Sequence, residues 1–462
     1  MCGIVGYIGD ENATGIIIDG LKKLEYRGYD SSGIALVTKD HQLIVRKKKG
    51  RIANLEELIA GEDLYANLGI GHTRWATHGA PSDVNAHPHT DMSGRIAVVH
   101  NGIVENYLAL KEWLIKEHNV VFKSETDTEI IAQLIGVLYD GDIEEAVRKA
   151  VEKMQGAYGI GVICRDEPDK MIAVRKDSPL IVGLGQGCNF IASDIPALLK
   201  YVRQIYLIEN NEMVVLTAND VKIYNADHEE VHRDVFNVTW DADAAEKEGY
   251  DHFMLKEIHE QPKGIRDTLV RRMDENGEIV LDGIKLTKED IEGFNKVYIV
   301  ACGTAYHAGL IGKFAIEKLA KISVEVDVAS EFRYRDPFID DKTLFIAISQ
   351  SGETLDTLAA LREAKAKGAR VLSVVNVVGS SVARESDDVF YTWAGPEIAV
   401  ASTKAYTTQL VCMYMLGLYM GRKKGIISDE VYKNYIDELL AVPDKLTSLL
   451  KQEKKIEALA KK

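Results

Sequence analysis

The sequence has no CxxC pair, no cationic leader and no apolar run long enough to cross a bilayer. Each absence narrows what it can do. Its five cysteines, Cys2, Cys164, Cys188, Cys302 and Cys412, are odd in number and widely spaced, which argues against a disulfide framework and against a zinc knuckle. No positively charged start leads into an apolar stretch, so nothing reads as a signal peptide. The most apolar run, LVCMYMLGLYM from Leu410, is about half the length of a membrane span. Positive charge is also in short supply: 56 basic against 71 acidic residues give a net charge of −15. That balance argues against nucleic-acid binding as the main activity, while leaving room for a local basic pocket. Low-complexity segments and short repeats are absent too. These absences lead to the expectation of a soluble, cytoplasmic protein with no membrane or nucleic-acid partner.

What is present is an ordinary globular composition, 46% hydrophobic and 27% charged over 462 residues, enough for two or three domains. The first half reads as short strands between turns, among them GIALVT from Gly33, LGIGHTRWAT from Leu68 and RIAVVHNGIV from Arg95. Two stretches with apolar spacing near 3.6, over 14–24 and 126–138, predict helices. Clustered strands with few helices predict α+β layering. After Asn225 the text turns charged and aperiodic, which predicts a connector, with a helix over 252–273. From Val297 the rhythm becomes strict alternation: VYIVA, TLFIAIS and RVLSVVNV each lead through a loop to a helical stretch. Strands apolar on both faces with helices between them predict an α/β doubly wound parallel sheet.

The residue that raises a chemical question is Cys2. It precedes Gly3 and a strand-like run (Ile4, Val5, Tyr7, Ile8), so the terminus is expected to be built into a sheet. Removal of Met1 leaves a thiol and a free α-amino group on one residue. Their reference pKa values are about 8.5 and about 7.7–8.0, and an adjacent amine can take the thiol proton. Four more stretches hold polar groups in company a plain core would not choose: GHTRWATHG (Arg74, Trp75, Thr77, His78), NAHPH (His87, His89), HNGIVEN (Asn101, Gly102) and SETDTE (Asp127). Five histidines between His72 and His100 raise a metal reading, but no carboxylate pair accompanies them at ligand spacing. Amide hydrolysis is the competing reading. Arg74 can clamp a carboxylate, Asp127 can hold an ammonium, and the Asn101 NH2 with the Gly102 N–H can form an oxyanion hole. Thiol, carboxylate clamp and ammonium acceptor together describe an enzyme acting on the side chain of a free amino acid.

In order, MCGIVGYIG, LEYRGYDSSGIA, GHTRWATHG, HNGIVEN and SETDTE resemble the class II glutamine amidotransferases, an N-terminal nucleophile glutaminase type of layered α+β sandwich, over residues 1–225. The resemblance implies that Cys2 is the nucleophile with its α-amine as base, and that Asn101 and Gly102 stabilise the oxyanion. It implies that Arg74, Thr77, His78 and Asp127 bind L-glutamine and that Trp75 gates the path of ammonia. Arg27 belongs to the same pattern without a role of its own from spacing, and the same holds for His87.

In the second half, ACGTAYHAG (Cys302, Gly303, Thr304) and ISQSGETLDT (Ser349, Gln350, Ser351, Thr354) each follow a strand and open a helix. Two such loops at successive strand ends of one sheet favour a phosphate site. Taken alone, each is equally well a helix cap. The pair resembles the sugar isomerase (SIS) domain. There EIAVASTKAYTTQL implies that Val400, Ala401 and Ser402 border the sugar. The order of the halves implies amino transfer from L-glutamine to D-fructose 6-phosphate, giving glucosamine 6-phosphate and glutamate, without a cofactor or metal and in a homodimer. The expected domains are 1–225 (glutaminase), 226–290 (connector), 291–430 (first SIS domain) and 431–462 (helical start of a second SIS domain).

Two departures qualify the resemblance. Ala305 stands where the family usually has a serine. The family also carries a second SIS domain with residues for the sugar chemistry, and this chain ends about where that domain begins. Glutaminase activity without complete sugar chemistry is therefore expected of these residues. A phosphoribosyltransferase would need an acidic-pair diphosphate loop and an asparagine synthetase an SGGxDS loop; SQSGETLDT is neither. A sugar-phosphate-sensing module with an inactive glutaminase fold is the alternative, against which the intact Cys2, Asn101 and Asp127 set speaks.

Overall fold

Alternation along the first strand sets the layers of the N-terminal half. Within Gly3–Gly9, Ile4 and Ile8 enter one core while Val5 and Tyr7 enter another, as a period of two requires when both faces are covered. The computed structural model describes residues 2–76, 78–238, 247–270, 272–274 and 277–462. The chain divides into two units, Met1–Asp243 and Ala244–Lys462.

In the first unit Gly3–Gly9 lies inside an antiparallel eight-stranded sheet, between Leu68–Arg74 and Cys188–Ala192. Beyond Leu68–Arg74 come Ser31–Val37 and Leu43–Lys49; on the other side lie Ile181–Leu184, Gln204–Leu207 and Phe236–Asn237. The second, seven-stranded sheet is antiparallel as well, and includes His89–Thr90, Ile96–Val104, Gly156–Cys164, Glu167–Lys176 and Glu212–Leu216. The sheets face each other across Ile4, Ile8 and Ile70 from the first and Val99, Ile163, Met171 and Val214 from the second. Helix Ala13–Lys23 covers the outer face of the first sheet, setting Ile17 and Leu21 against Val5, Ile34 and Leu36. Helices Asp127–Leu138 and Ile143–Lys153 cover the second, setting Ile131, Leu134 and Val147 against Val98, Ile160 and Val162. The result is an α/β/β/α sandwich, the expected layered α+β class. Helices Ile52–Ile59, Tyr107–His118 and Ile143–Lys153 go beyond the two expected here. The last buries Ile143, Ala146, Val147 and Ala150, a helical stripe muted in the sequence because half of it is alanine.

The second unit holds five parallel strands in the order Ser323–Val328, Lys296–Ala301, Thr343–Ser349, Arg370–Val375 and Asp388–Tyr391. Val297, Ile299, Leu344 and Ile346 pack on one face with Ile316, Leu319 and Met413 from helices Gly303–Ala320 and Lys404–Lys423. On the other face Val300, Phe345 and Val371 pack with Leu358 and Leu361 from helix Leu355–Ala366. This is the doubly wound parallel sheet expected, and its order reverses between Lys296–Ala301 and Thr343–Ser349, where such sheets receive ligands.

The stretch 226–290, expected as a connector, is shared between the units. Phe236–Asn237 joins the first sheet, whereas Ile265 and Leu269 of helix Phe253–Val270 enter the core of the second unit. Helix Asp429–Leu450, expected to open a further domain, sets Tyr432, Ile436 and Leu439 against that same core. None of the described helices is long and apolar enough to cross a membrane.

Phe345 is fully buried on a central strand, so Phe345→Ala should cost the second unit about 3–5 kcal/mol. Denaturant titration followed by a probe in that unit checks this, with alkylation of Cys2 unchanged as the control.

Candidate active site

Pairing places Cys2. Gly3 lies opposite Thr73, which brings the half-buried Cys2 beside the end of strand Leu68–Arg74. Its Sγ accepts the Trp75 N–H at 3.2 Å. Its backbone carbonyl accepts from Arg27 Nε at 3.2 Å and from Asn101 Nδ2 at 3.0 Å. Arg27 is itself anchored, Nη1 lying 2.6 Å from Asp194 Oδ2. Arg27, without a role in the sequence, thus holds the backbone of Cys2. Burial pushes the Cys2 thiol up, while the Trp75 N–H and the nearby Arg74 charge act in the opposite direction.

Asn101 and Gly102 stand near the end of strand Ile96–Val104 in the other sheet. Gly102 has φ +126°, and a Cβ there would lie 2.0 Å from the Ala157 carbonyl oxygen, so only glycine fits. Asp127 opens helix Asp127–Leu138 and its Oδ2 accepts the Val104 N–H at 3.0 Å. That bond ties the helix to the strand carrying Asn101 and Gly102.

Arg74 is 3% exposed. Its Nη2 donates to the carbonyls of His78 and Gly79, the second at 3.3 Å, and its buried Nη1 has no partner among the described residues. An ionised donor without an acceptor is costly, and a ligand carboxylate would satisfy it. The loop beyond Arg74 is held by a bond from Ala76 N–H to Asp30 Oδ2. His78 packs edge-on against Tyr107 at 5.7 Å between centroids, and the exposed Trp75 edge-on against Tyr29 at 5.3 Å. Thr77 lies outside the described residues.

His72, His87 and His89 form a buried stack. His72 and His87 have centroids 4.2 Å apart, His87 and His89 5.2 Å. His100 Nδ1 lies 3.0 Å from Thr128 Oγ1 and 4.0 Å from Asp127 Oδ2. Burial holds all four low: His72 at about 3, His87 and His89 well below the usual value, and His100 lowered against the opposing pull of Asp127. Among the described residues no group of three or more His, Cys, Asp or Glu side chains is arranged to hold a metal.

In the second unit the two small-residue loops leave adjacent parallel strands, Lys296–Ala301 and Thr343–Ser349. Cys302 precedes helix Gly303–Ala320, with Gly303 at φ +59° and Thr304 in the first turn. Ser349 Oγ accepts the Gly352 N–H at 3.0 Å and lies 3.1 Å from Thr354 Oγ1; Ser351 Oγ accepts the Glu353 N–H at 3.2 Å. Asn376 N–H donates to the Gln350 carbonyl at 3.1 Å, while its side chain bonds the 392–395 turn, Nδ2 to Gly395 O at 2.7 Å and Oδ1 from Ala394 N–H at 2.9 Å. The segment bearing Val400, Ala401 and Ser402 is held by two carboxylates. Glu257, pushed up to about 7 by burial, accepts from Ile398 N–H at 2.6 Å and Ala399 N–H at 3.0 Å. Glu397 accepts from Ser402 Oγ at 2.8 Å and Thr403 N–H at 2.8 Å.

Residues 72–200 match the glutamine amidotransferase domain family and residues 291–419 the SIS domain family. The glutamine–fructose-6-phosphate aminotransferase (isomerizing) of Clostridium tetani is 59% identical over 462 residues, all of this chain and 76% of that one. The chain belongs to the glutamine–fructose-6-phosphate aminotransferase family. A relative from Thermus thermophilus with the same designation is 48% identical, again over the whole chain and 76% of its own length. A solved C-terminal domain of glucosamine-fructose-6-phosphate aminotransferase from Francisella tularensis aligns at 44% identity, covering 46% of this chain and 60% of that one with a TM-score of 0.45. The chain spans about three quarters of the length of these curated relatives.

For this family member, sequence reasoning left out the residues that hold others in place: His72, Asp194, Asn376, Glu257 and Glu397. For His72 a signal existed, since it opens GHTRWATHG on a strand position facing the opposite sheet. Asp194, Glu257 and Asn376 act on partners distant in sequence, whereas Glu397 acts within its own segment, where it opens EIAVASTKAYTTQL.

The buried histidines make the first unit acid-sensitive. Their folded pKa values lie below the unfolded value, so the unfolded state gains protons first as pH falls. Stability is therefore complete above about pH 6.5 and declines below it, for His72 down to about pH 3, at most about 1.4 kcal/mol per pH unit for each histidine. Urea midpoints measured between pH 7 and pH 4.5 should fall steadily; a flat profile contradicts this account.

Proposed function

We propose that these residues serve the transfer of the amide nitrogen of L-glutamine to D-fructose 6-phosphate, which yields D-glucosamine 6-phosphate and L-glutamate, by carrying the glutamine half-reaction and the binding of the sugar phosphate. The glutamine half-reaction falls to the first unit. With Met1 removed, the α-amine of Cys2 takes the thiol proton, directly or through a solvent water, and Sγ attacks the glutamine amide carbon. The tetrahedral oxyanion takes hydrogen bonds from Asn101 Nδ2 and the Gly102 N–H. Collapse breaks the C–N bond and the ammonium returns its proton to the departing nitrogen, releasing ammonia. A water then cleaves the γ-glutamyl thioester to glutamate and restores the thiol. Arg74 takes the substrate carboxylate, with Thr77, His78 and Asp127 holding the rest of the amino acid and Trp75 gating the exit of ammonia.

One observation carries this reading: the unpartnered Nη1 of the buried Arg74, at the end of the strand that also hands its Trp75 N–H to the Cys2 thiol. A sugar-phosphate sensor without glutaminase activity has no use for that pairing. Cys2→Ala should abolish glutamate release, and so should retention of Met1, verified by intact mass. Arg74→Ala should raise the glutamine KM by about 10- to 100-fold, the equivalent of losing a charge-assisted pair of about 1.5–3 kcal/mol. Unchanged kinetics in Arg74→Ala would mean that the substrate is held elsewhere.

On the sugar side, we assign phosphate binding to Cys302, Gly303, Thr304, Ser349, Gln350, Ser351 and Thr354, with Val400, Ala401 and Ser402 along the sugar. Hydroxyls and backbone N–H groups at helix starts suit a phosphate. They do not suit ring opening or the proton shift from carbon 1 to carbon 2, work that the family resemblance gives to a second SIS domain. Expressed by themselves, these 462 residues should release glutamate and ammonia yet form no hexosamine phosphate from added fructose 6-phosphate. Mass spectrometry of the product mixture decides it, and a hexosamine-phosphate peak would refute the expectation.

A further inference from the structure

His72 is completely buried in strand Leu68–Arg74, and its ring crosses to the opposite sheet. Its Nε2 lies 3.1 Å from the His100 backbone carbonyl oxygen and 3.0 Å from Asn101 Oδ1. A backbone carbonyl can only accept, so Nε2 must carry the proton. With a donor fixed at that position, the Asn101 atom facing it has to be the amide oxygen. The NH2 group is thereby turned the other way, and it does lie 3.0 Å from the Cys2 carbonyl oxygen. The reverse amide orientation would set two donors against each other in a buried site and offer the reacting carbon an oxygen, which repels an oxyanion. A neutral ring is what burial enforces at this position, so the single proton stays on Nε2 while Nδ1 has no partner among the described residues.

We propose that His72 is the positioning residue for the oxyanion hole: through the proton on Nε2 it fixes which end of the Asn101 side chain faces Cys2. The inference rests on the glutaminase reading above. His72 touches no reacting atom in this scheme, and its contribution is the orientation of a group that does.

The test compares wild-type chain with His72→Leu, His72→Gln and His72→Asn. Glutamine hydrolysis is measured as glutamate release, and Cys2 reactivity as the rate of alkylation by iodoacetamide. Alkylation forms an S–C bond and expels iodide without any oxyanion, so it reports an intact nucleophile independently of the hole. His72→Leu should lose about 100-fold in kcat, in the range for loss of one oxyanion donor, with unchanged alkylation. Its glutamine KM should stay within about threefold, since the lost interaction belongs to the transition state. Glutamine carries an amide NH2 at about the reach of Nε2, so His72→Gln should recover to within about tenfold of wild type, whereas the shorter asparagine should not. A merely structural role would not separate these two amides. Equal losses in His72→Gln and His72→Asn overturn the proposal, as does wild-type kcat in His72→Leu. Where His72→Leu fails to fold, the comparison of the two amides decides alone. Hydrolysis that persists in Cys2→Ala, by contrast, overturns the glutaminase reading itself and the role of His72 with it.

Discussion

The glutamine side of this protein depends on one constraint: the first strand is paired on both edges. A chain terminus ordinarily frays. Here Gly3–Gly9 runs between Leu68–Arg74 and Cys188–Ala192, so the Cys2 thiol, one residue from the start of the strand, has a defined position. The partners of Cys2 come from those same neighbours and from what adjoins them. Trp75 follows one flanking strand, and Asp194, which anchors Arg27, follows the other. A second sheet then supplies Asn101 and Gly102 across the sandwich. Positioning of the thiol is thus a product of sheet register, not of local loop structure.

The same layering explains why the site is expensive to build. Polar groups that must face Cys2 lie where two sheets and their helices exclude water, so each is either bonded or left short. Most are bonded, as in the chain from Thr128 through His100 and His72 to Asn101. Arg74 Nη1, the Nδ1 atoms of His72 and His87, and His100 Nε2 have no partner among the described residues. A fold optimised for stability alone would not keep an unpartnered guanidinium nitrogen at 3% exposure beside a stack of neutral imidazoles. At Arg74 the shortfall lies at the end of the strand whose next residue, Trp75, donates to the thiol, which is where a bound substrate can make it good.

Much of this was legible in the sequence, and the reason is locality. Strand Gly3–Gly9, the layered first half and the alternating second half are encoded in periods of two and 3.6 that a short window reveals. The motif residues Cys2, Arg74, Asn101, Gly102 and Asp127 sit on elements whose ends the text marks with glycine, threonine or aspartate. What escaped is what acts at a distance. Arg27 looks like any charged loop residue until its Nε is seen on the Cys2 carbonyl. Glu257 looks like one more acid on a charged helix, yet it is 2% exposed and caps two N–H groups 141 and 142 positions along the chain. Helix Phe253–Val270 reads in the sequence as standing between domains because its partners, too, are remote along the chain.

On the reading proposed above, the two units receive an anion in opposite ways, and the acidic chain makes the contrast informative. With a net charge of −15, the long-range field disfavours any anionic substrate, so attraction must be local. The first unit has a buried guanidinium, which suits a carboxylate because two parallel N–H groups match two oxygens. The second has no Lys or Arg within 302–305 or 349–354. There the loops open helices Gly303–Ala320 and Leu355–Ala366, and the second loop is held in shape by Ser349 on the Gly352 N–H, Ser351 on the Glu353 N–H and the Asn376 N–H on the Gln350 carbonyl. A phosphate needs several donors spread around a tetrahedron, and a loop entering a helix supplies them without a buried cation. Parallel strands make this possible, because they deliver successive loops to one end of the sheet. Antiparallel strands send successive loops to opposite ends of the sheet, and on the same reading a side chain, Arg74, takes the carboxylate instead.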